Sequence, residues 1–295
     1  RLVRTLCRRG HPVRVLVRRP ARATALAADG CELVAGDLAD REALTALVAG
    51  ADCLVHLAGA VRGASYATFR HANVDGSRNL FLAAAGTPAP PRLLFLSSLA
   101  AREPQLSWYA RAKREAEGAL AASAAPGQCW TVLRPPPVYG PGDRELLPLL
   151  KLMARGVAPL PGSAGARVSL LHVDDLVAAC LVCLAADGAR GETLSLHDGR
   201  TGGYAWRDIA DTVARLRGRP VRLLPLPRTL LDLTAGGNLL AARVLRRAPM
   251  LTPSKLRELR HPDWVTDNAA IAAATGWRPT IDLAGGLATL PGLLR

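Results

Sequence analysis

Short apolar segments alternate with helix-forming segments along the first half of the chain. The strand-like segments lie at 13–17, 53–57, 93–98 and 130–133, and the helix-forming segments between or beside them lie at 21–28, 41–47, 74–85 and 108–117. Alternation at these lengths predicts an α/β fold with a doubly wound parallel sheet. Right-handed crossovers would then place helices on both faces of that sheet.

The alternation fades after Gly142. Helix-forming segments dominate at 146–154 and 176–186, and a last strand-like segment at 192–196 is expected to return to the sheet. We therefore expect a sheet domain made of residues 1–142 and about 166–198. Residues 143–165 and 199–295 are expected to form a smaller, helix-rich lobe.

Tyr109 and Lys113 lie four residues apart in a segment without Gly or Pro, so both side chains should share one face of a helix. The positive charge of a lysine in that position can lower the pKa of the phenol. A tyrosine tuned in this way can exchange a proton with an alcohol or a carbonyl group. The alternative is a packed aromatic ring covered by a surface lysine.

Ser98 ends a continuous apolar segment that is typical of a strand buried on both faces. A parallel strand delivers its last residues to the carboxyl edge of the sheet, where open α/β folds bind ligands. The Ser98 hydroxyl can therefore meet the Tyr109 helix in one crevice. The alternative is that Ser97 and Ser98 only satisfy backbone groups at the strand end.

Six further segments accompany Ser98, Tyr109 and Lys113 in a recognisable order and spacing. They are 34–38 (Val-Ala-Gly-Asp-Leu), 55–59 (Val-His-Leu-Ala-Gly), 73–77 (Asn-Val-Asp-Gly-Ser), 133–142 (Leu-Arg-Pro-Pro-Pro-Val-Tyr-Gly-Pro-Gly), 172–176 (His-Val-Asp-Asp-Leu) and 275–279 (Thr-Gly-Trp-Arg-Pro). On these segments the sequence resembles the extended short-chain dehydrogenase/reductase family, also called the NAD-dependent epimerase/dehydratase family. The resemblance implies a Rossmann-like sheet domain that binds a dinucleotide, and a lobe that binds a small-molecule substrate.

The resemblance also implies roles for single residues. Tyr109 would be the general acid/base, Lys113 would hold the nicotinamide ribose and lower the pKa of Tyr109, and Ser98 would hydrogen-bond the reacting oxygen. The implied cofactor contacts are Arg18, Asp37, Leu38, Leu57, Ala58, Gly59, Asn73, Tyr109, Lys113, Pro136 and Val138. His172 and Asp174 would fix the junction between sheet domain and lobe. One departure is Ala112, where the family usually has Ser or Thr before the lysine.

Arg18 indicates which dinucleotide is preferred. NAD enzymes of this fold often place an acidic residue at the end of the second strand to bind the ribose hydroxyls. Here the strand-like segment is followed by Arg18 and Arg19, and an arginine at this point suits a 2′-phosphate. We therefore expect NADP rather than NAD, although the alternative is one more surface arginine in an arginine-rich chain.

The first residues, Arg1 to His11, are typical of the back half of a helix that ends at Gly10. In folds of this kind a strand and a glycine-rich turn come before that helix and bind the pyrophosphate. We therefore expect the sequence to be an N-terminally truncated chain without the first strand and glycine turn. Such a chain would be impaired in cofactor binding and would carry unpaired strand edges.

Composition narrows the function further. The formal net charge is +14, but all except three of the 38 basic residues are Arg and only 4% of residues are aromatic. The arginines look scattered, which argues against a nucleic-acid partner.

The six cysteines show no paired metal-ligand spacing, so neither zinc nor disulfides are expected. No apolar run is long enough for an integral membrane span. A cytoplasmic enzyme is expected, and a homodimer is left open.

The sequence leaves three functions to compare. The first is an NAD(P)-dependent oxidoreductase or epimerase that acts on a secondary alcohol or ketone through Ser98, Tyr109 and Lys113. The second is a nucleotide-sugar epimerase/dehydratase, although relatives of that kind tend to have an arginine where this chain has Val168. The third is a non-catalytic assembly or regulatory protein of the same fold. The intact Ser98, Tyr109 and Lys113 argue against this third function.

Overall fold

The computed structural model describes residues 1–245, 249 and 251–293. The strands of these residues are β1 (Arg14–Val17), β2 (Glu32–Ala35), β3 (Cys53–His56), β4 (Arg92–Leu96), β5 (Trp130–Arg134), β6 (Val138–Tyr139), β7 (Val157–Leu160), β8 (Arg167–Val168), β9 (Leu171–His172), β10 (Glu192–Ser195), β11 (Tyr204–Ala205), β12 (Arg222–Pro225) and β13 (Asp263–Trp264). The predicted strands in the first half of the chain are confirmed to within about two residues.

The α-helices are α1 (Leu2–Arg8), α2 (Thr24–Ala28), α3 (Arg41–Val48), α4 (Tyr66–Phe69), α5 (Gly76–Ala85), α6 (Trp108–Ser123), α7 (Leu147–Ala154), α8 (Val173–Ala185), α9 (Trp206–Arg217), α10 (Arg228–Leu245), α11 (Pro253–Leu259), α12 (Ala269–Thr275) and α13 (Leu283–Ala288). A π-helix, Arg70–Asp75, joins α4 to α5. The helix predicted at 74–85 is therefore an α-helix only from Gly76 onward.

Four parallel strands form the main sheet, in the order β10-β5-β4-β3. The last strand, β10, pairs with β5 in register from Glu192 with Thr131 to Ser195 with Arg134, which confirms its predicted return to the sheet. β4 is nearly all apolar because helices cover both of its faces. Leu93 and Phe95 pack with α5 and α6, whereas Leu94 packs with α8.

β1 and β2 form a separate parallel pair. Leu16 of β1 packs against the cluster that contains Leu54 of β3, so the pair shares the core of the main sheet. Within the described residues, β1 pairs only with β2 and β3 only with β4. That a first strand and glycine turn come before this sequence stays a prediction.

The lobe has its own apolar core. Leu150 and Met153 of α7 pack with Val213 of α9 and Leu287 of α13. The parallel pair of β7 and β12 and the small sheet of β11, β8 and β13 complete this unit. The helix-rich character predicted for the lobe agrees with these elements.

Helix α12 packs on the sheet domain and not on the lobe core. Ile271 of α12 and Trp277 pack with Leu133 and Cys183 in the core of the sheet domain, although 199–295 was assigned to the lobe. The close approach depends on Gly188, because a Cβ there would lie 2.4 Å from the Ala274 carbonyl oxygen. Hydrophobic pattern alone could not show which of the two cores α12 would join.

The cysteines are all free thiols. The Sγ atoms of Cys7 and Cys31 nevertheless lie 3.2 Å apart, a contact that the sequence did not indicate. Burial raises the pKa of Cys31 to about 11, so this residue stays a protonated and weakly nucleophilic thiol near neutral pH. In the described part of the chain, no group of three or more potential ligands is placed to hold a metal ion, and no helix is long and apolar enough to cross a membrane.

Candidate active site

Helix α6 carries Tyr109 and Lys113 one turn apart. The helix begins after Ser107, whose Oγ accepts a hydrogen bond from the Ala110 backbone N–H at 2.9 Å. Ser107 Oγ in turn donates to Glu258 Oε2 of the lobe at 2.6 Å. The first turn of α6 is therefore fixed by its own cap and by the lobe, and this places Tyr109 at the boundary between the two units.

Ser98 follows β4 and caps the short 3-10 helix Leu99–Arg102, where the Ala100 N–H donates to its Oγ at 3.2 Å. The Ser98 hydroxyl also lies close enough to the phenol of Tyr109 to lower its pKa. Its neighbour Ser97 points elsewhere and donates to Glu117 Oε1 at 2.5 Å. The 3-10 helix that Ser98 caps packs against α6, so Ser98 and Tyr109 lie on neighbouring elements.

Burial raises the pKa of Tyr109 to about 12. The nearby Ser98 hydroxyl opposes this rise, whereas the negative charge of Glu258 adds to it. That Lys113 lowers the pKa of this phenol stays a prediction, because burial sets the direction of the shift. Desolvation of the phenolate outweighs the electrostatic help, and Tyr109 stays protonated through the neutral range.

Lys113 is only 5% exposed. Its Nζ donates to the Leu96 carbonyl at 2.8 Å and lies 5.0 Å from the centre of the Phe95 ring. Burial lowers the pKa of Lys113 to about 8, against the opposing charge of Glu117. Within the described residues the ammonium makes this one hydrogen bond, so two of its three donors remain for another partner.

Asn73 closes the neighbouring loop. It lies buried in the π-helix, an irregularity that is frequent at functional sites. Its Oδ1 accepts from the Ala60 N–H at 2.6 Å, and its Nδ2 donates to the Ala60 carbonyl at 2.9 Å. A Cβ on Gly59 would lie 2.8 Å from Asn73 Oδ1 and 3.5 Å from Lys113 Nζ, so Gly59, Asn73 and Lys113 line one narrow space.

The other predicted cofactor residues lie on the same edge of the sheet. Leu57 and Ala58 are exposed directly after β3, and Arg18 is exposed directly after β1. Asp37 follows β2, and its Oδ1 accepts from the Ala39 N–H at 2.8 Å. The next residue, Leu38, is held by a hydrogen bond from Asn79 Nδ2 to its carbonyl at 2.9 Å.

Pro136 and Val138 follow β5, which lies beside β4. The Leu99 N–H donates to the Pro135 carbonyl at 2.8 Å, and this bond ties the loop to the segment that carries Ser98. Val138 then pairs with Leu171 in the short β6–β9 ladder. The predicted contacts thus follow the carboxyl ends of the parallel strands β1, β2, β3 and β5, and ligands bind at such ends in folds of this kind.

The sequence did not predict the residues that surround Tyr109. They are Lys255 and Glu258 of the lobe and Phe69 of α4. Lys255 Nζ lies 5.7 Å from the centre of the Tyr109 ring and pairs with Glu258. The Phe69 ring lies on another side of Tyr109, at 6.3 Å between centroids. One signal was present, because only three lysines occur in this arginine-rich chain and two of them meet at Tyr109.

His172 joins the sheet domain to the lobe, as expected. Its Nδ1 accepts from the Asp174 N–H at 3.3 Å, and its Nε2 lies 3.1 Å from Thr289 Oγ1. Asp175, for which the sequence predicted no role, accepts hydrogen bonds from the Thr280 and Ile281 backbone N–H groups at 2.9–3.1 Å. These contacts stabilise the junction and lie outside the Ser98–Tyr109 pair.

A parallel sheet with a ligand-binding carboxyl edge is the architecture of dinucleotide-binding folds. The family model described as "NAD dependent epimerase/dehydratase family" matches residues 1–196. The chain belongs to this family and is an NAD(P)-dependent oxidoreductase. The matches lend no support to the expected truncation or to an impairment that would follow from it.

Three similarities describe its relatives. The chain is 39% identical to a ceramide reductase of Caulobacter vibrioides over 272 residues, which cover 92% of this chain and 83% of that protein. It is 32% identical to a 2-alkyl-3-oxoalkanoate reductase of Stenotrophomonas maltophilia over 59% of this chain and 58% of that one. Its fold is that of a UDP-glucuronic acid 4-epimerase of Bacillus cereus, with a TM-score of 0.74, 15% identity, and coverage of 97% and 91%.

Proposed function

We propose that the protein is an NADPH-dependent reductase that converts a carbonyl group of a ceramide-like, long-chain lipid to an alcohol. The observation that carries the reaction is the placement of Ser98, at the cap of a 3-10 helix, against the α6 turn that holds Tyr109 and Lys113; burial keeps the pKa of Tyr109 high, so the phenol is protonated near neutral pH. A protonated acid is the form that carbonyl reduction needs. The substrate class is supported by the 39% identity to a ceramide reductase across 92% of the chain.

In this reaction the carbonyl carbon gains a hydride and its oxygen gains a proton. When bound, the nicotinamide of NADPH supplies the hydride. Tyr109 gives its phenolic proton to the oxygen, and the Ser98 hydroxyl hydrogen-bonds the same oxygen as negative charge develops there. Lys113 places its positive charge one helix turn from the phenol, which favours the phenolate that remains after the transfer.

The residues of the carboxyl edge fit a dinucleotide. Gly59 leaves room where a Cβ would approach Asn73 and Lys113, and Lys113 retains two donors for the ribose hydroxyls. We assign the cofactor contacts to Arg18, Asp37, Leu38, Leu57, Ala58, Gly59, Asn73, Lys113, Pro136 and Val138 together with Tyr109.

Two alternatives have less support. In a nucleotide-sugar epimerase an arginine at position 168 would contact phosphate, but Val168 lies in the lobe core. The adjacent Arg167 donates to the Gly202 carbonyl at 2.5 Å and to the Gly203 carbonyl at 3.0 Å, so a structural role occupies its guanidinium. A non-catalytic protein would not require Ser98, Tyr109 and Lys113 together in its sequence.

The reductase function is tested with purified protein, NADPH and a ceramide-like lipid that carries a ketone, supplied in detergent micelles. We expect NADPH consumption that depends on the lipid, and a lipid product that mass spectrometry shows to have gained two hydrogen atoms. UDP-glucose and UDP-glucuronic acid are offered separately. Conversion of a nucleotide sugar without reduction of the lipid would establish the epimerase alternative instead.

Arg18 is expected to determine the preference for NADPH. Arg18→Glu should raise the KM for NADPH by about 10- to 100-fold, because an arginine–phosphate pair contributes about 1.5–3 kcal/mol and the new carboxylate repels the phosphate. The KM for NADH should stay the same or fall, since a carboxylate can bind the ribose hydroxyls. Steady-state kinetics with both cofactors measure the ratio of the two kcat/KM values.

Arg19→Glu is the matched control, because Arg19 is also exposed but starts the following 3-10 helix. It introduces the same charge one residue away and should leave the cofactor ratio within about threefold, as expected for a surface charge. Equal effects of the two substitutions would mean that the general charge of this edge, and not a contact from Arg18, sets the preference.

A further inference from the structure

Helix α10 presents an apolar face to solvent. Leu230, Leu233 and Leu240 are 54%, 75% and 64% exposed, the three largest values for large apolar side chains among the described residues. Their spacing places them on one side of the helix, together with Gly237. Apolar surface concentrated in this way marks an interaction site more often than a single exposed leucine does.

The opposite face of α10 is already packed. Leu231 and Ala235 are buried against Leu256 of α11. The helix is therefore anchored to the lobe by one apolar face while the second apolar face stays exposed. Packing within the lobe explains why the first face is apolar, but it does not explain why the exposed face is apolar.

Positive charge is concentrated in the part of the sequence that contains this helix. Residues 219–260 contain nine Lys or Arg and two Asp or Glu, so this short segment supplies about half of the net charge of +14. Both carboxylates are engaged, since Asp232 pairs with Arg260 at 2.7 Å and Glu258 pairs with Lys255. The arginines that look scattered along the whole chain are enriched in the sequence segment that contains this apolar helix.

The same region reaches the active site. Leu256 of α11 packs towards α10, whereas Ser254 Oγ accepts from the Trp108 N–H at 2.8 Å at the start of α6. Thr252, Ser254 and Lys255 line a small pocket beside Tyr109. One helix thus separates the exposed leucines of α10 from the pocket at Tyr109.

We propose that α10 lies in the surface of an anionic lipid bilayer and brings the pocket at Tyr109 to a membrane-dissolved substrate. Leucines that enter the acyl region and arginines that meet lipid phosphates are the two components of binding by interfacial helices. No described helix could span a bilayer, so α10 would lie along it. The choice of a lipid substrate rests on the proposed function, whereas the choice of an anionic surface rests on the leucines and the charge.

Vesicle flotation tests the proposal. Wild-type protein is mixed with phosphatidylcholine vesicles that contain or lack phosphatidylglycerol, with neither substrate nor NADPH present. We expect the protein to float with the anionic vesicles and much less with the neutral ones. Raising the salt from about 0.1 to 0.5 M should release it at least severalfold, because the ionic attraction is screened.

The triple variant Leu230→Gln/Leu233→Gln/Leu240→Gln should reduce the vesicle-bound fraction at least about tenfold, since it removes the apolar component. Leu82→Gln/Leu152→Gln is the matched control, with leucines 49% and 40% exposed on other helices, and it should bind like wild type. Leu233→Gln alone should give a smaller loss, which keeps the test decisive if the triple variant folds poorly.

Three results would overturn the proposal. The first is equal flotation of wild type and the folded triple variant, and the second is no flotation of wild type. The third is a triple variant that changes from dimer to monomer in vesicle-free solution, which would make α10 an interface between two copies. Flotation without reduction of the lipid in detergent would instead refute the proposed function alone, and reduction in detergent without flotation would refute the membrane surface alone.

Discussion

Tyr109→Phe is expected to lower kcat for carbonyl reduction by about 10²- to 10⁴-fold while leaving the affinity for NADPH nearly unchanged. The substitution removes the proton that the developing alkoxide needs and keeps the ring that packs beside Phe69. Stopped-flow or steady-state assays give kcat, and a fluorescence titration with NADPH gives the dissociation constant. The two measurements together separate loss of proton transfer from loss of binding.

Tyr66→Phe is the matched control for Tyr109→Phe. Tyr66 lies in α4 with its hydroxyl bonded to Glu115 and its ring beside Arg111, away from Ser98. Removing this phenolic hydroxyl should leave kcat within about threefold, as for most surface changes. If Tyr109→Phe behaved like Tyr66→Phe on a lipid that the wild type reduces, the proton would have to come from another group.

Local sequence patterns were enough to predict the sheet and to place Ser98 at the end of β4 and Tyr109 and Lys113 on α6. β4 and α6 each have an unambiguous periodicity, and the parallel topology brings the end of one to the start of the other. The strand-end position of Ser98 and the four-residue spacing of Tyr109 and Lys113 are short-range features. They depend on segment type and chain direction, which a sequence displays directly.

Long-range contacts could not be predicted in this way. Glu258 meets Ser107 across about 150 residues of chain, and nothing in either segment specifies the other. The same holds for α12, whose docking depends on the absence of a side chain at Gly188. The rise in the pKa of Tyr109 also has a long-range cause, because Glu258 of the lobe adds to the effect of burial.

Replacing Lys113 with an uncharged residue is expected to increase the stability of the fold and to lower the activity. The ordinary pKa of 10.5 is lowered by burial to about 8, so holding the charged ammonium in the fold costs about 3 kcal/mol at pH 7. Methionine has a similar length and no charge, but it leaves the Leu96 carbonyl without its donor, which costs about 1 kcal/mol or more. Lys113→Met should therefore raise the free energy of unfolding by about 1–2 kcal/mol at pH 7.

The pH dependence identifies the cause of that gain. Between pH 8 and 10.5 the unfolded wild type binds more protons than the folded protein, so its stability rises with pH relative to Lys113→Met. Below pH 8 the full cost is present, and above 10.5 it has vanished. Urea unfolding of both proteins at pH 7, 9 and 10.5 should thus show an advantage of the variant that shrinks as the pH increases.

Turnover should move in the opposite direction. Lys113→Met removes the two ammonium donors assigned to the ribose and the charge that favours the Tyr109 phenolate, so kcat should fall at least about a hundredfold and the KM for NADPH should rise. Lys151→Met, at an exposed position of α7, should change neither turnover nor stability by more than about 0.5 kcal/mol. A Lys113→Met protein that is less stable than wild type at pH 7 would mean that the buried ammonium supports the fold. A variant that gains stability and loses turnover would show that Lys113 destabilises the fold and is needed for catalysis.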